Sequence, residues 1–195
     1  MKRIFALILL ALLLTGCARS SPDSTGPVEP TVAQMPGSYT GLGGKMPEIT
    51  VTTAAGQTVK LSELLKEKEL VVLNFWFEDC PWCIKEFPVL EQAYQKYRED
   101  VEILALNPAD SAQSVKNFQE GHGLTFSMAA CPRSWARECG VTAYPTSIFI
   151  DRSGVVCLVH VGAVTTSYAW EKIFDAFTGD GYRQKIYTSV EEILG

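Results

Sequence analysis

The stretch LVVLNFWFEDCPWC, Leu70 to Cys83, decides the fold. Its opening run LVVLNFWF, apolar but for Asn74, has the pattern of a central strand buried on both faces. Its second half places two cysteines three residues apart, where a strand gives way to the next element. The continuation IKEFPVLEQAYQKYR carries Phe87, Leu90, Ala93, Tyr94 and Tyr97 at helical spacing, so a helix is expected from about Pro81 to Arg98. Pro81 suits its first turn. Cys80 then stands at a helix N-terminus, where the macrodipole and free N–H groups favour a thiolate. Cys83 lies one turn in, more buried and within reach of Cys80.

Two cysteines so arranged are metal ligands, a staple or a redox centre. Metal sites need about four ligands. The chain has two histidines, His122 and His160, and no second C-x-x-C. A disulfide closing so short a loop removes little unfolded-state entropy. The redox reading fits best, provided the compartment allows disulfides.

The N-terminus speaks to compartment. Lys2 and Arg3 precede the apolar stretch Ile4 to Leu14, too short for a transmembrane helix but suited to a signal peptide. Leu14-Thr15-Gly16-Cys17 resembles a bacterial lipobox, in which cleavage leaves a cysteine carrying diacylglycerol. Residues 1–16 are thus expected as a lipoprotein signal peptide, with lipidation at Cys17. Residues 17–46 are rich in Ser, Pro, Gly and Thr and read as a flexible tether. Its r.m.s. reach is roughly 30 Å. The net charge of −5 becomes more negative once Lys2 and Arg3 are lost, which argues against nucleic acid or an anionic membrane face as partner. No polybasic run and no second apolar span is visible.

Residues 47–195 are long enough for one domain with a real core. EITVTTAAGQTVKL reads as a β-hairpin, with Ser62 as cap of a short helix over ELLKEK. VEILALN is a second buried strand, Ser111 to Glu120 helical, LTFSM a short strand and SWAREC a turn or two of helix. TSIFID and VVCLVHV form a hairpin around Arg152-Ser153-Gly154. SYAWEKIFDAFTG is an amphipathic helix closed by Gly179. Strands alternating with helices and ending in a hairpin argue for an α/β fold with a mixed sheet.

NFWFEDCPWCIKEFPVL together with GVTAYPTSIFIDRSG resembles the thioredoxin superfamily, and more narrowly its membrane-tethered TlpA/ResA-type thiol-disulfide oxidoreductases. The resemblance spans about Met46 to Thr178. It implies a thioredoxin-like fold: a mixed central sheet flanked by helices, an N-terminal β-hairpin and an inserted strand-helix segment over VEILALNPADSAQSVKNFQEGHGLTF. By the same resemblance Cys80 matches the attacking cysteine, Cys83 the resolving one and Pro145 a cis-proline that packs on the disulfide. Tyr144 then has a backbone free to pair with an extended substrate. Pro88 matches a helix-kinking proline. Trp76 matches an aromatic beside the site, with plain core packing as the alternative. Pro81 and Trp82, between the cysteines, join the expected substrate surface.

Two departures bear on mechanism. Cytoplasmic thioredoxins carry a buried aspartate six residues before the first cysteine; here Asn74 stands there and takes no proton. The TlpA/ResA type instead places a carboxylate three residues after the second cysteine, and Glu86 occupies that position, on the helix face of Cys83. A solvated glutamate paired with a lysine is the alternative. Glu78 and Asp79 disfavour a thiolate, which leans the couple towards reduction. Cys131, Cys139 and Cys157 are odd in number, so at least one is expected as a free thiol or an intermolecular partner. A helical Pro132 to Glu138 would hold Cys131 and Cys139 about 12 Å apart, beyond disulfide reach.

The sequence thus describes an extracytoplasmic, lipid-anchored, monomeric dithiol–disulfide exchanger of the bacterial envelope, without cofactor or metal. Its expected partners are protein thiols and disulfides and a membrane thiol-electron donor. A disulfide oxidase or isomerase, a non-catalytic lipoprotein binding module and a metal chaperone remain alternatives.

Overall fold

A computed structural model describes residues 39, 41–179, 182 and 184–195. The expected signal peptide, Cys17 and most of the tether lie outside these residues.

A five-stranded mixed sheet runs in the order β5-β4-β3-β6-β7. Its strands are β3 (Leu70–Phe75), β4 (Val101–Asn107), β5 (Ser127–Ala130), β6 (Thr146–Asp151) and β7 (Val156–Val161). β3 is central, parallel to β4 and antiparallel to β6, and every one of its residues is buried. Side chains of a strand alternate between faces. Leu70, Val72 and Asn74 therefore point one way and Val71, Leu73 and Phe75 the other. The first set joins a core built with α2 (Pro81–Tyr97), α3 (Ala112–His122) and α5 (Ser167–Phe177). The second joins a core with α1 (Leu61–Glu67), α4 (Arg133–Glu138) and the hairpin β1 (Thr50–Thr52)–β2 (Thr58–Lys60). Helices on both faces of a mixed sheet, an N-terminal hairpin and the strand-helix insert β4–α3 make this a thioredoxin-like α/β fold, as the resemblance implies.

Four local expectations are corrected. Ser62 does not cap α1. Lys60 is the N-cap without a side-chain bond, and the Ser62 N–H donates instead to Glu48 Oε1 at 3.2 Å. The strand expected over LTFSM begins at Ser127, because β5 pairs with β4 only from Leu104↔Ser127 onwards. Before that point Gln119 Nε2 takes the Phe126 carbonyl at 2.8 Å, and Leu124 and Phe126 fill the core as the chain approaches the sheet. α5 ends at Thr178, which is already extended at φ −121°. Gly179, at φ 88°, follows the cap rather than forming it.

The stretch just before Met46, expected as the last part of a tether, is instead paired with the sheet. The Gly43 N–H donates to Val156 O (2.8 Å) and the Met46 N–H to Gly154 O (2.9 Å), so this stretch is stitched to the start of β7. Met46 itself is buried. The C-terminal segment meets the same strand: the Tyr187 N–H donates to Cys157 O at 2.9 Å, ahead of the short helix α6 (Glu191–Leu194). Both additions cover backbone groups of an edge strand that would otherwise be open to pairing. No described helix is long and apolar enough to cross a membrane.

Candidate active site

β3 delivers the chain to the C-terminal edge of the sheet, where Trp76 N–H still bonds Leu106 O at 3.1 Å. Beyond it Cys80 takes an extended conformation (φ −89°, ψ 104°) and becomes the N-cap of α2, with Pro81 in the first turn. Its Sγ accepts from the Cys83 N–H at 3.2 Å, satisfying one of the helix's orphan donors with sulfur in place of the usual oxygen. Cys80 and Cys83 form a disulfide with their Cα atoms 5.3 Å apart. Cys83 is wholly buried and Cys80 shows only 3% of its surface. Pro81 and Trp82 are exposed, with Lys85 Nζ lying 5.0 Å from the Trp82 ring centroid. α2 continues through Pro88 to Tyr97.

Glu86 is the unusual group. It lies one turn beyond Cys83 and is completely buried, so it is no solvated surface charge. Oε1 accepts from the Val164 N–H at 2.9 Å and Oε2 from Asn74 Nδ2 at 3.0 Å. The same amide nitrogen donates to Ser147 Oγ at 3.0 Å. Asn74 and Ser147 are direct cross-strand partners on the α2 face of β3 and β6, so the sheet itself supplies this polar shelf. Burial pushes the Glu86 carboxyl up from 4.5 to about 7, against the pull of the bonds from Val164 and Asn74. Asn74 Oδ1 has no partner among the described residues. With its amide reversed, Asn74 would offer that oxygen to a protonated Glu86.

The Tyr144–Pro145 peptide bond is cis. The Pro145 carbonyl accepts from Gly162 N–H at 2.9 Å, tying this loop to the end of β7. The N–H and C=O of Tyr144 have no hydrogen-bond partner among the described residues. Its half-buried ring meets Phe77 edge-on at 5.2 Å.

Trp76 is corrected as a candidate substrate contact. Its side chain is fully buried, edge-on to Phe87 at 5.1 Å and 4.6 Å from Phe118, so it packs the core beneath the site. Ser147 and the Val164 N–H escaped the sequence reading. A serine in a strand and a backbone donor on a distant loop carry no local signal. Asn74 was read only as a group that takes no proton, not as a donor to Glu86. Cys131, Cys139 and Cys157 are all free. Among the described residues no three His, Cys, Asp or Glu side chains cluster as a metal site would require.

Comparison with known proteins agrees with this geometry. The family model for AhpC/TSA proteins matches residues 42–159. The model for a prokaryotic membrane lipoprotein lipid attachment site matches residues 1–18. The thiol-disulfide oxidoreductase ResA of Bacillus thuringiensis (strain Al Hakam) is 36% identical over 126 residues, 64% of this chain and 72% of the relative. The thioredoxin-like protein YneN of Bacillus subtilis (strain 168) is 28% identical over 134 residues, covering 67% and 78%. Among solved structures, a Chlorobium tepidum chain assigned as a thiol:disulfide interchange protein, DsbE, superposes with a TM-score of 0.59 at 31% identity, covering 69% of this chain and 92% of that one. This chain therefore belongs to the AhpC/TSA family, as a lipid-anchored thiol-disulfide oxidoreductase of the cell envelope.

Proposed function

We propose that the enzyme reduces disulfides of partner proteins, with Cys80 as nucleophile, Cys83 as resolving thiol and Glu86 as the base that serves Cys83. In the first step the Cys80 thiolate attacks a substrate disulfide, one substrate sulfur leaves as thiolate, and a mixed disulfide forms. In the second, Cys83 loses its proton and its sulfur attacks Cys80. The second substrate sulfur leaves, and the internal disulfide closes. Two electrons and two protons pass to the substrate.

The observation that carries this reading is the buried carboxyl one turn beyond Cys83, raised to about 7. A buried thiol cannot ionise into water without a desolvation cost. Transfer of its proton to Glu86 moves one negative charge from oxygen to sulfur and creates none, so the site pays that cost only once. A base with a pKa near the working pH suits such a transfer. Asn74 then acts as a positioning residue through its bond to Oε2.

Trp82, Pro81, Tyr144 and Pro145 form the substrate surface in this scheme. The unpartnered Tyr144 backbone accepts an extended chain by strand addition. Exposed Glu78 and Asp79 beside Cys80, and the absence of a cation between the cysteines, weigh against a stabilised thiolate and favour reduction. A membrane thiol carrier restores the dithiol, and the mature monomer begins at lipidated Cys17. The test is the reduction potential in glutathione buffers. A value nearer −270 mV than −120 mV is expected, and one above about −180 mV would assign the chain to disulfide formation instead.

A further inference from the structure

Next to the Tyr144–Pro145 loop lies a cleft of about 610 Å³. Phe77 and Tyr144, in edge-to-face contact, line it. Pro108, Ala136 and Val141 also line it, together with Arg133 and Arg137. The two arginines are four apart on α4, hence on one face. Both are exposed, and among the described residues neither guanidinium makes an ion pair or a side-chain hydrogen bond. Burial pushes the Tyr144 hydroxyl up, and the positive charge of Arg133 works against it. Asp110, next to the lining residue Ala109, accepts from the Glu78 N–H (2.8 Å) and Asn107 Nδ2 (2.8 Å), both at Oδ2.

The cleft is joined to the chemistry through both its aromatic residues. The Phe77 carbonyl accepts from the Cys80 N–H at 3.2 Å, and Tyr144 is the residue before the cis-proline. A chain paired along the Tyr144 backbone while its sulfur faces Cys80 must lay its neighbouring side chains over this cleft. Apolar walls bind an apolar side chain, and two unpaired guanidiniums bind a carboxylate in forked geometry.

We infer that this cleft selects polypeptide disulfides that carry an apolar and an acidic residue beside the oxidised cysteine. The inference rests on the reductase reading above and adds a substrate class to it.

The experiment uses the reduced full-length protein and a set of short disulfide peptides, each with a fluorescent leaving thiol. The residues beside the cysteine are Leu-Glu, Leu-Gln or Leu-Lys. Second-order rate constants for thiol release are compared, with hydroxyethyl disulfide as a neutral small substrate. The Leu-Glu peptide should react about tenfold faster than Leu-Gln at low salt, with the ratio shrinking at high salt. The ratio should fall to about one in the double variant Arg133→Gln/Arg137→Gln. In Arg137→Glu the order should tip towards Leu-Lys, which a merely folding role for the arginine would not produce. If wild type reduces hydroxyethyl disulfide but treats the three peptides alike, the cleft assignment is wrong and the reductase reading stands. The same holds if the double variant keeps the full ratio, or if a free carboxylated small disulfide shows the whole preference without a peptide. If no disulfide is reduced, the reductase reading itself fails.

Discussion

Cys80 and Cys139 sit at opposite ends of helices. Cys80 caps the N-terminus of the 17-residue helix α2, facing free N–H groups. Cys139 follows α4 as its C-cap, on the carbonyl side. Both are almost buried, at 3% and 5% exposure. Burial alone pushes a thiol up, and at Cys139 nothing opposes it: the thiol rises to about 12 through burial and then through the charge of Glu138. Cys131 reaches about 12 by burial and the neighbouring Cys139, and Cys157 by burial and Asp151. Of the five cysteines in the folded domain, Cys80 and Cys83 form the disulfide; Cys80 meets the N-terminal end of a helix, and a buried carboxyl, Glu86, stands one turn beyond Cys83.

The widest gap should appear on mutation. Cys80→Ser is expected to abolish reduction of a protein disulfide, whereas Cys139→Ala should keep the rate within about twofold, both followed by thiol release. A Cys139→Ala protein that folds normally yet loses exchange would break the contrast outright. Alkylation comes next. At pH 8 a thiol with a pKa of about 12 is ionised in roughly one molecule in ten thousand, so in the reduced protein Cys131, Cys139 and Cys157 should label at least about a thousandfold more slowly than Cys80. Timed iodoacetamide labelling with peptide mass spectrometry reads the order.

Glu86 tests the same comparison through stability. Its folded value of about 7 lies above the ordinary 4.5, so folding favours the protonated form. The stability that goes with that proton is present in full below about pH 4.5 and is lost as the pH rises through about 7. The expected loss is about 3 kcal/mol across this window. Glu86→Gln should flatten this part of the profile in urea titrations of the oxidised protein. Reversal of the Asn74 amide lets it meet the new Nε2 with its unpartnered oxygen. Equal pH slopes for variant and wild type would mean that Glu86 is not the titrating group. The smallest effect is kinetic: Glu86→Gln should slow resolution of the mixed disulfide about tenfold or more and change the attack by Cys80 less. Rapid-quench alkylation between about pH 5 and 8 separates the two steps.

Much of this was legible in the chain because it is local. The runs VEILALN and TSIFID are the strands β4 and β6 residue for residue, and LVVLNFWF contains β3, which ends two residues earlier at Phe75, since strands buried on both faces show as long, mostly apolar runs. Cys80, Pro81 and Cys83 declare their helix terminus within four residues. Pairings across the fold were hidden. Glu48 takes the donor expected to belong to a Ser62 cap, from fourteen residues away. Ser147 reaches Asn74 over a separation of 73, and Val164 reaches Glu86 over 78. The arginine-lined cleft gathers side chains from four separate segments, and no pattern in any one of them announces it. Trp76 illustrates a different limit: an aromatic next to a redox motif reads the same whether it faces substrate or core.

The stitching of Gly43 to Met46 onto the start of β7 also sets the end of the sheet at which the N-terminal segment enters the domain. Val156, where the N-terminal segment attaches, and Val161, beside Thr146 and the cis-proline, are opposite ends of one strand, roughly 16–17 Å apart. The leash is thus hitched to the pole opposite the disulfide. Lipid anchoring therefore acts on the domain from the end that its sulfurs do not occupy.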